Sequence, residues 1–399
     1  MSSDFERVMR WFETGRLVRP RAAGRPTLLD MKHAIARTCG VEELPSSPQI
    51  ELVCERIGKP EHLIFILVDG LGLELLQKLG TDDSFLKRHF VEEMEAVYPS
   101  TTTVALTALT TGVYPCEHGF PGWWVFFEKL GVTAELLPFH ERFTKKPLQQ
   151  FGAVSNDILC VPNIFPRFKR VPQIVTLKDY VHSTYSTYWA TGGMSYGYER
   201  ISHGCEIVLG RVEQAKGPSY HHLYVPQLDS TCHKHGIDHP EVLRVFEIID
   251  AELKRLHKNL DGRARMVISA DHGHVNREVD RHLKPDDKLM ETLRCPPSGE
   301  PTVPVFHVKP GRHEEFRALF AEQFGEFFAL LTLDEVERLK MLGPGPLSER
   351  ARTFFGDYIG VTPAPNTIHF YHPQYPPSVH RGVHAGLTPG EMRIPLIIA

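Results

Sequence analysis

With 399 residues, 42% of them apolar and 24% charged, the chain can bury a large core, as one big domain with an inserted lobe or as two domains. A net charge of −4 excludes a protein that holds nucleic acid by bulk attraction for phosphate, although bound metal can still supply positive charge for a small anion. Seven scattered cysteines with no Cys-x-x-Cys pair suggest neither a disulfide framework nor a thiolate zinc knuckle.

Along the chain, Phe5 to Phe12 and Leu28 to Cys39 have helical apolar spacing, and Pro45-Ser46-Ser47-Pro48 interrupts it. These residues read as a packing arm over 1–60. Leu63 to Val68 is a continuous apolar run, the pattern of a strand buried on both faces of a parallel sheet, and Leu71 to Leu79 reads as the helix after it. Val91 to Tyr98 reads as a second strand, leading through Pro99 into Ser100-Thr101-Thr102-Thr103. Thr102 or Thr103 would cap the helix that runs through Leu106 and Leu109 to Gly112. His221 to Val225 is a third strand, Glu241 to Leu260 a long amphipathic helix, and Arg265 to Ala270 a fourth strand. This alternation predicts an α/β fold, a mostly parallel central sheet with helices on both faces and functional residues at the strand ends.

Two intervals break the pattern. Residues 123–215 are rich in Pro, Gly and aromatics, and residues 276–380 carry a strand-helix-helix-strand series at Val303–Val308, Glu314–Phe328, Leu333–Met341 and Thr367–Tyr371. The second is expected to form a smaller inserted α+β lobe over 276–379. The core would then comprise 61–275 and 380–399, with Arg393 to Ala399 as a closing strand. The start, Met1 to Arg7, has acids early and no apolar signal-peptide core, and no run is long enough to span a bilayer. A cytoplasmic protein with no membrane partner is expected.

Several strand-end residues carry chemistry. Asp69 follows the first strand. Asp229 and His233 follow the third, four residues apart, so that one helical turn can aim both at a point. Asp271 and His272 follow the fourth, and Gly273 permits a turn that brings this adjacent pair together. His384 lies in Gly382-Val383-His384-Ala385-Gly386, just before the closing strand. Each alone reads as an ordinary loop residue. Together they offer carboxylate and imidazole ligands without thiolate, a set suited to Zn²⁺, Mn²⁺ or Fe with open positions.

In this order, Asp69-Gly70, the threonine turn before Thr111-Gly112-Val113-Tyr114-Pro115-Cys116-Glu117-His118-Gly119, Asp229-x-x-x-His233, Asp271-His272-Gly273 and Gly382-x-His384-x-Gly386 resemble the alkaline phosphatase superfamily. Within it, the sequence is most similar to the nucleotide pyrophosphatase/phosphodiesterase (type I phosphodiesterase) branch. The resemblance covers about 61–125, 220–275 and 380–399 and leaves the arm and both intervals unassigned. It implies an alkaline-phosphatase-like core and two divalent ions, zinc first with manganese or iron as alternatives. Asp69, Thr102, Asp271 and His272 would surround one ion, and Asp229, His233 and His384 the other. Thr102 would be the nucleophile and form a phosphothreonine intermediate, with Ser100, Thr101 and Thr103 as competing choices. The implied substrate is a small phosphoester or a nucleotide.

One departure concerns the substrate. The relatives carry an asparagine shortly after His-Gly that holds a phosphate oxygen, and Trp123 stands at about that place here. Trp123 and Trp124 then line a leaving-group pocket or are core aromatics. His235 and His274 read as surface histidines or as supports beside the ligands, with the surface reading preferred. His221 and His222 read as structural, and Arg167, Lys169 and Arg170 as a solvated face. The rival functions are a phosphomonoesterase, phosphonate hydrolase or phosphomutase on the same scaffold, and a metal-keeping relative without catalysis. Oligomeric state is not encoded in any feature of the sequence.

Overall fold

The computed structural model describes residues 2–376 and 380–399; Met1 of the expected arm and the last residues of the expected lobe, 377–379, lie outside that set. The central sheet has seven strands in the order Phe90–Glu95, Arg393–Ile398, Ala264–Ser269, His62–Val68, Ser219–Val225, Pro172–Leu177 and Met194–Tyr198. His62–Val68 lies in the middle, parallel to both neighbours, and Leu63 to Val68 are fully buried, as a run with no polar face requires. The closing strand alone runs against its neighbours. Val68 sits opposite Val225, and Leu67 opposite Ser269, so three adjacent strands end at one level. Asp69, Asp229 and Asp271 follow those ends, which is where an open parallel sheet places its ligands.

Two strands of this sheet come from the first interval. Pro172–Leu177 begins on a proline, and Met194–Tyr198 is an edge strand with a glycine inside it. Neither shows a continuous apolar run: Met194–Tyr198 lies at the edge, which needs no apolar outer face, whereas Pro172–Leu177 is interior and buried yet includes Gln173 and Thr176.

A second seven-stranded sheet has the order Ala329–Thr332, Tyr358–Val361, Val303–Phe306, Ser298–Glu300, Trp124–Phe127, Val132–Glu135 and His140–Glu141. The region expected as a separate lobe over 276–379 therefore shares its sheet with three strands from before residue 276. Its apolar faces pack a core of their own around Phe306, Phe316, Phe320 and Phe324. The junction between the two parts is Gly299 against Trp124. Gly299 has φ +76, and a Cβ on Gly122 would lie 2.8 Å from the Gly299 carbonyl carbon, so two glycines let the backbones meet.

The N-terminal helix Leu28–Thr38 is buried from Leu28 to Ala36, and a Thr27/Asp30 capping box starts it. His33 Nε2 lies 2.8 Å from the carbonyl of Gly112, which ends the helix Thr102–Thr111. The arm thus buttresses the helix that carries the candidate nucleophile. The basic cluster is solvated at Arg167 and Lys169, which are exposed, and half-buried at Arg170, and it also makes contacts with the arm. Arg167 donates to the Glu43 carbonyl, Lys169 pairs with Glu42 at 2.6 Å, and Arg170 donates to the Pro60 carbonyl, so all three tie the arm to the core. Among the described residues no helix is long and apolar enough to cross a membrane.

Candidate active site

Thr102 is the first residue of its helix, and the residue before it, Thr101, holds the N-cap position. The cap expected from Thr102 or Thr103 is not made. The Thr101 hydroxyl donates instead to Glu300 Oε1 at 2.7 Å, and no side chain caps the helix. The first N–H groups are left without a side-chain acceptor at an end where the helix dipole favours negative charge. Thr102 Oγ1 lies 3.4 and 3.5 Å from the two carboxylate oxygens of Asp69 and 3.2 Å from His272 Nε2. His272 Nε2 is in turn 3.4 Å from Asp69 and 3.5 Å from Asp271 Oδ2. Asp69, Thr102, Asp271 and His272 are therefore one cluster.

Asp229 and His233 lie on the short helix Gln227–His235 after the third strand, and their i,i+4 spacing puts both side chains on one face. Asp229 Oδ1 is 3.4 Å from His233 Nε2 and 3.8 Å from His384 Nε2, and the two imidazole nitrogens are 3.1 Å apart. His384 arrives from the other end of the chain. Ser100 fastens it there: its N–H donates to Ala385, its hydroxyl to Gly386, and its carbonyl accepts from His384 Nδ1 at 3.1 Å. The two clusters touch, since the rings of His272 and His384 stack with centroids 3.8 Å apart. Every residue assigned to a ligand set by resemblance lies in this one place.

The donors fit divalent ions. Ligating atoms of Asp229, His233, His274 and His384 lie within 4.8 Å of one another, and so do those of Asp69, Asp229 and His272. Asp271 Oδ2 is buried with no hydrogen-bond partner among the described residues, a costly state for a carboxylate oxygen unless a cation meets it. Burial, with Asp271 and Asp229 beside it, raises Asp69 well above the usual carboxylate range. Three histidines donate Nδ1–H to main-chain carbonyls: His233 to Gly382 at 2.9 Å, His272 to Gly273 at 3.0 Å, and His384 to Ser100. Each then presents the Nε2 lone pair inward, as metal-binding histidines do.

A family model for type I phosphodiesterase / nucleotide pyrophosphatase matches residues 63–323. The chain belongs to this family. It is a hydrolase of phosphoric ester or anhydride bonds. No curated protein matches the sequence. Among solved structures, murine ectonucleotide pyrophosphatase/phosphodiesterase 5 aligns with TM-score 0.60 at 16% identity, over 84% of this chain and 87% of that one. An inactive variant of that protein in complex with AMP aligns with TM-score 0.61, again at 16% identity and the same coverage. Phosphonoacetate hydrolase from Sinorhizobium meliloti 1021, in complex with phosphonoformate, aligns with TM-score 0.60 at 18% identity, over 86% and 90%. These likenesses establish the fold, an α/β core shared with both proteins.

Two features of this phosphodiesterase-family chain go beyond the sequence reading or reverse its preference. The first is Glu300, on the second sheet. Its Oε1 accepts from the Thr101 hydroxyl and from the Trp123 N–H, both at 2.7 Å, so it joins the start of the Thr102–Thr111 helix to the loop after His118-Gly119. Nothing local in Ser298-Gly299-Glu300 marks it, because its partners are far away in the chain. Trp123 is half-buried with its main chain engaged on both sides, and the Arg142 guanidinium covers the Trp124 ring at 3.7 Å.

Burial pushes the Glu300 carboxyl from 4.5 up to about 7. A folded-state pKa raised in an acid means that the folded protein binds more protons, so stability is lost as pH rises through that window. In metal-free protein, raising the pH from 4.5 to above 7 is expected to cost the wild type roughly 3 kcal/mol more than Glu300→Gln. Urea unfolding of both proteins across that range checks it, and parallel curves would contradict it.

The second feature is His274. The surface reading is wrong: the ring is 2% exposed, and its Nε2 lies 2.7 Å from Asp229 Oδ1. The signal was present as a second histidine two positions after His272, but only folding turns it back toward Asp229. His235 is half-buried and stacks on His239 rather than joining the site. His118 is fully buried and pushed down to about 3 by burial. Its Nδ1 accepts from the Phe120 N–H and its carbonyl from Arg350, so it shapes the turn. His221 bonds Ser219, and His222 packs between Phe65 and Trp189, both as structural residues.

Proposed function

We propose that the chain is a phosphodiesterase or nucleotide pyrophosphatase that acts through a phosphothreonine at Thr102, with two divalent ions, zinc first. Asp69, Thr102, Asp271 and His272 would hold one ion and Asp229, His233 and His384 the other. The observation that carries the reading is Thr102 Oγ1, 3.2 Å from His272 Nε2 and 3.4 Å from Asp69, at the first position of an uncapped helix.

In this reading Thr102 Oγ1 forms a bond to phosphorus as the ester or anhydride P–O bond opposite it breaks. Water then cleaves the Thr102 Oγ1–P bond. When bound, the ions supply positive charge for the phosphoryl oxygens and lower the pKa of the attacking hydroxyl. The chain's own part is to orient. The helix start turns its N–H groups toward the phosphate, Asp69 and His272 flank the hydroxyl, and Ser100 keeps His384 in register with it.

A small phosphoester, with a nucleotide as the first choice, is the proposed substrate, supported by the fold shared with a protein solved in complex with AMP. A phosphonate is the second reading, supported by the fold shared with phosphonoacetate hydrolase. Hydrolysis of bis-p-nitrophenyl phosphate in preference to p-nitrophenyl phosphate and to phosphonoacetate is the expected result. Faster release from the monoester or from phosphonoacetate would move the chain to the corresponding rival. Metal uptake with no hydrolysis of any of the three would favour the non-catalytic relative. A reducing, cytoplasmic setting is proposed as well, supported by seven unpaired cysteines.

A further inference from the structure

We propose that His274 is a positioning residue for the Asp229 cluster: its Nε2–H donates to Asp229 Oδ1 and aims that oxygen at His233 and His384, and the ring is not itself a metal ligand. This rests on the reading of Asp229, His233 and His384 as the holders of one divalent ion.

Distance alone points the other way. Ligating atoms of Asp229, His233, His274 and His384 are mutually within 4.8 Å, which would make a closed set of four. A tetrahedral ion with four protein ligands has no place left for a substrate oxygen. The ring protons separate the two arrangements. A neutral imidazole has one N–H and one lone pair. His233, His272 and His384 each place the N–H at Nδ1, because a main-chain carbonyl waits there, and this frees Nε2 to bind an ion. His274 Nδ1 is buried and has no partner among the described residues. A proton at Nδ1 would be an orphaned buried donor. A proton at Nε2 has Asp229 Oδ1 at 2.7 Å. The ring therefore carries its proton on the side that faces the cluster, where it gives a hydrogen bond and withholds a lone pair.

The seat of the ring fixes this arrangement. Gly70 has φ +74, and a Cβ there would stand 2.9 Å from His274 Cδ2; a Cβ on Gly382 would stand 3.1 Å from His274 Nδ1. The backbone closes on the ring from both sides and offers Nδ1 no acceptor. The Gly382 carbonyl is already taken by His233.

The test uses the whole protein and Co²⁺ or Zn²⁺ alone, with chelator competition for affinity and cobalt absorption for coordination. The amide nitrogen of glutamine falls near the place of histidine Nε2, that of asparagine near Nδ1. His274→Gln is expected to keep wild-type affinity for both ions. His274→Asn and His274→Ala are expected to weaken one of the two ions by about 10–100-fold. A Gln variant as weak as the Ala variant, with a changed cobalt spectrum, would make His274 a ligand and overturn the proposal. So would an Ala variant with wild-type affinity. Wild-type protein that takes up no ion, or Asp229→Ala with unchanged uptake, overturns the reading of the site beneath it instead. Long-range ¹H–¹⁵N spectra of the metal-free wild type decide the matter without any variant: the proton on Nε2 is expected, and a proton on Nδ1 refutes it.

Discussion

Thr102→Ala protein is expected to take up divalent metal, fold as the wild type does, and lose turnover of bis-p-nitrophenyl phosphate by about 10³-fold or more. The change removes one hydroxyl and one methyl from the first position of a helix, and alanine suits that helix well. The remaining donors, Asp69, Asp271 and His272, stay in place because neighbouring strands and main-chain hydrogen bonds position them. Thr102→Ser keeps a hydroxyl and is expected to retain measurable turnover. Acid-quenched wild type should carry a phosphoryl group on the peptide containing Thr102, detected by mass spectrometry. Near-wild-type turnover by the alanine variant would move the nucleophile elsewhere. Of the competing hydroxyls, Thr101 is tied to Glu300 and Ser100 to Gly386, which leaves Thr103 as the alternative to test.

Chelation is expected to abolish turnover, and stoichiometric zinc to restore it. The thermal midpoint should fall with metal removal. The site buries Asp69, Asp271 and His272 almost completely, and a cation offsets the cost of holding those carboxylates away from water. A ligand that binds only the folded state stabilises it by about 2.7 kcal/mol at a hundred times its Kd. Calorimetry with and without chelator reads this directly. An unchanged midpoint together with full activity in chelator would remove metal from the proposal.

Much of the site was legible in the chain because its residues sit at places where short-range pattern is strong. Asp69 follows six buried apolar residues, Asp271 follows Met266–Ser269, and the Asp229/His233 spacing encodes one helical turn. The threonine turn was visible for the same reason, although the cap was not. Thr101 gives its hydroxyl to Glu300, which comes from 199 residues away, so no local rule could assign it. The first interval failed for a different cause. An edge strand such as Met194–Tyr198 needs one apolar face at most, and the hairpin Trp124–Glu135 makes sense only once Ser298–Glu300 lies beside it.

By itself the sequence determined the element alternation, the order of the turns that carry the clustered aspartates and histidines, and the family, because strand, helix and turn propensities act over a few residues and motifs keep their spacing. Tertiary structure alone decided what each polar group faces. It turned His274 inward to Asp229, brought Glu300 across to the Thr102–Thr111 helix, and tied the Arg167–Arg170 cluster to the N-terminal arm. Burial and hydrogen bonding depend on contacts between distant segments, and those contacts exist only after the chain has closed.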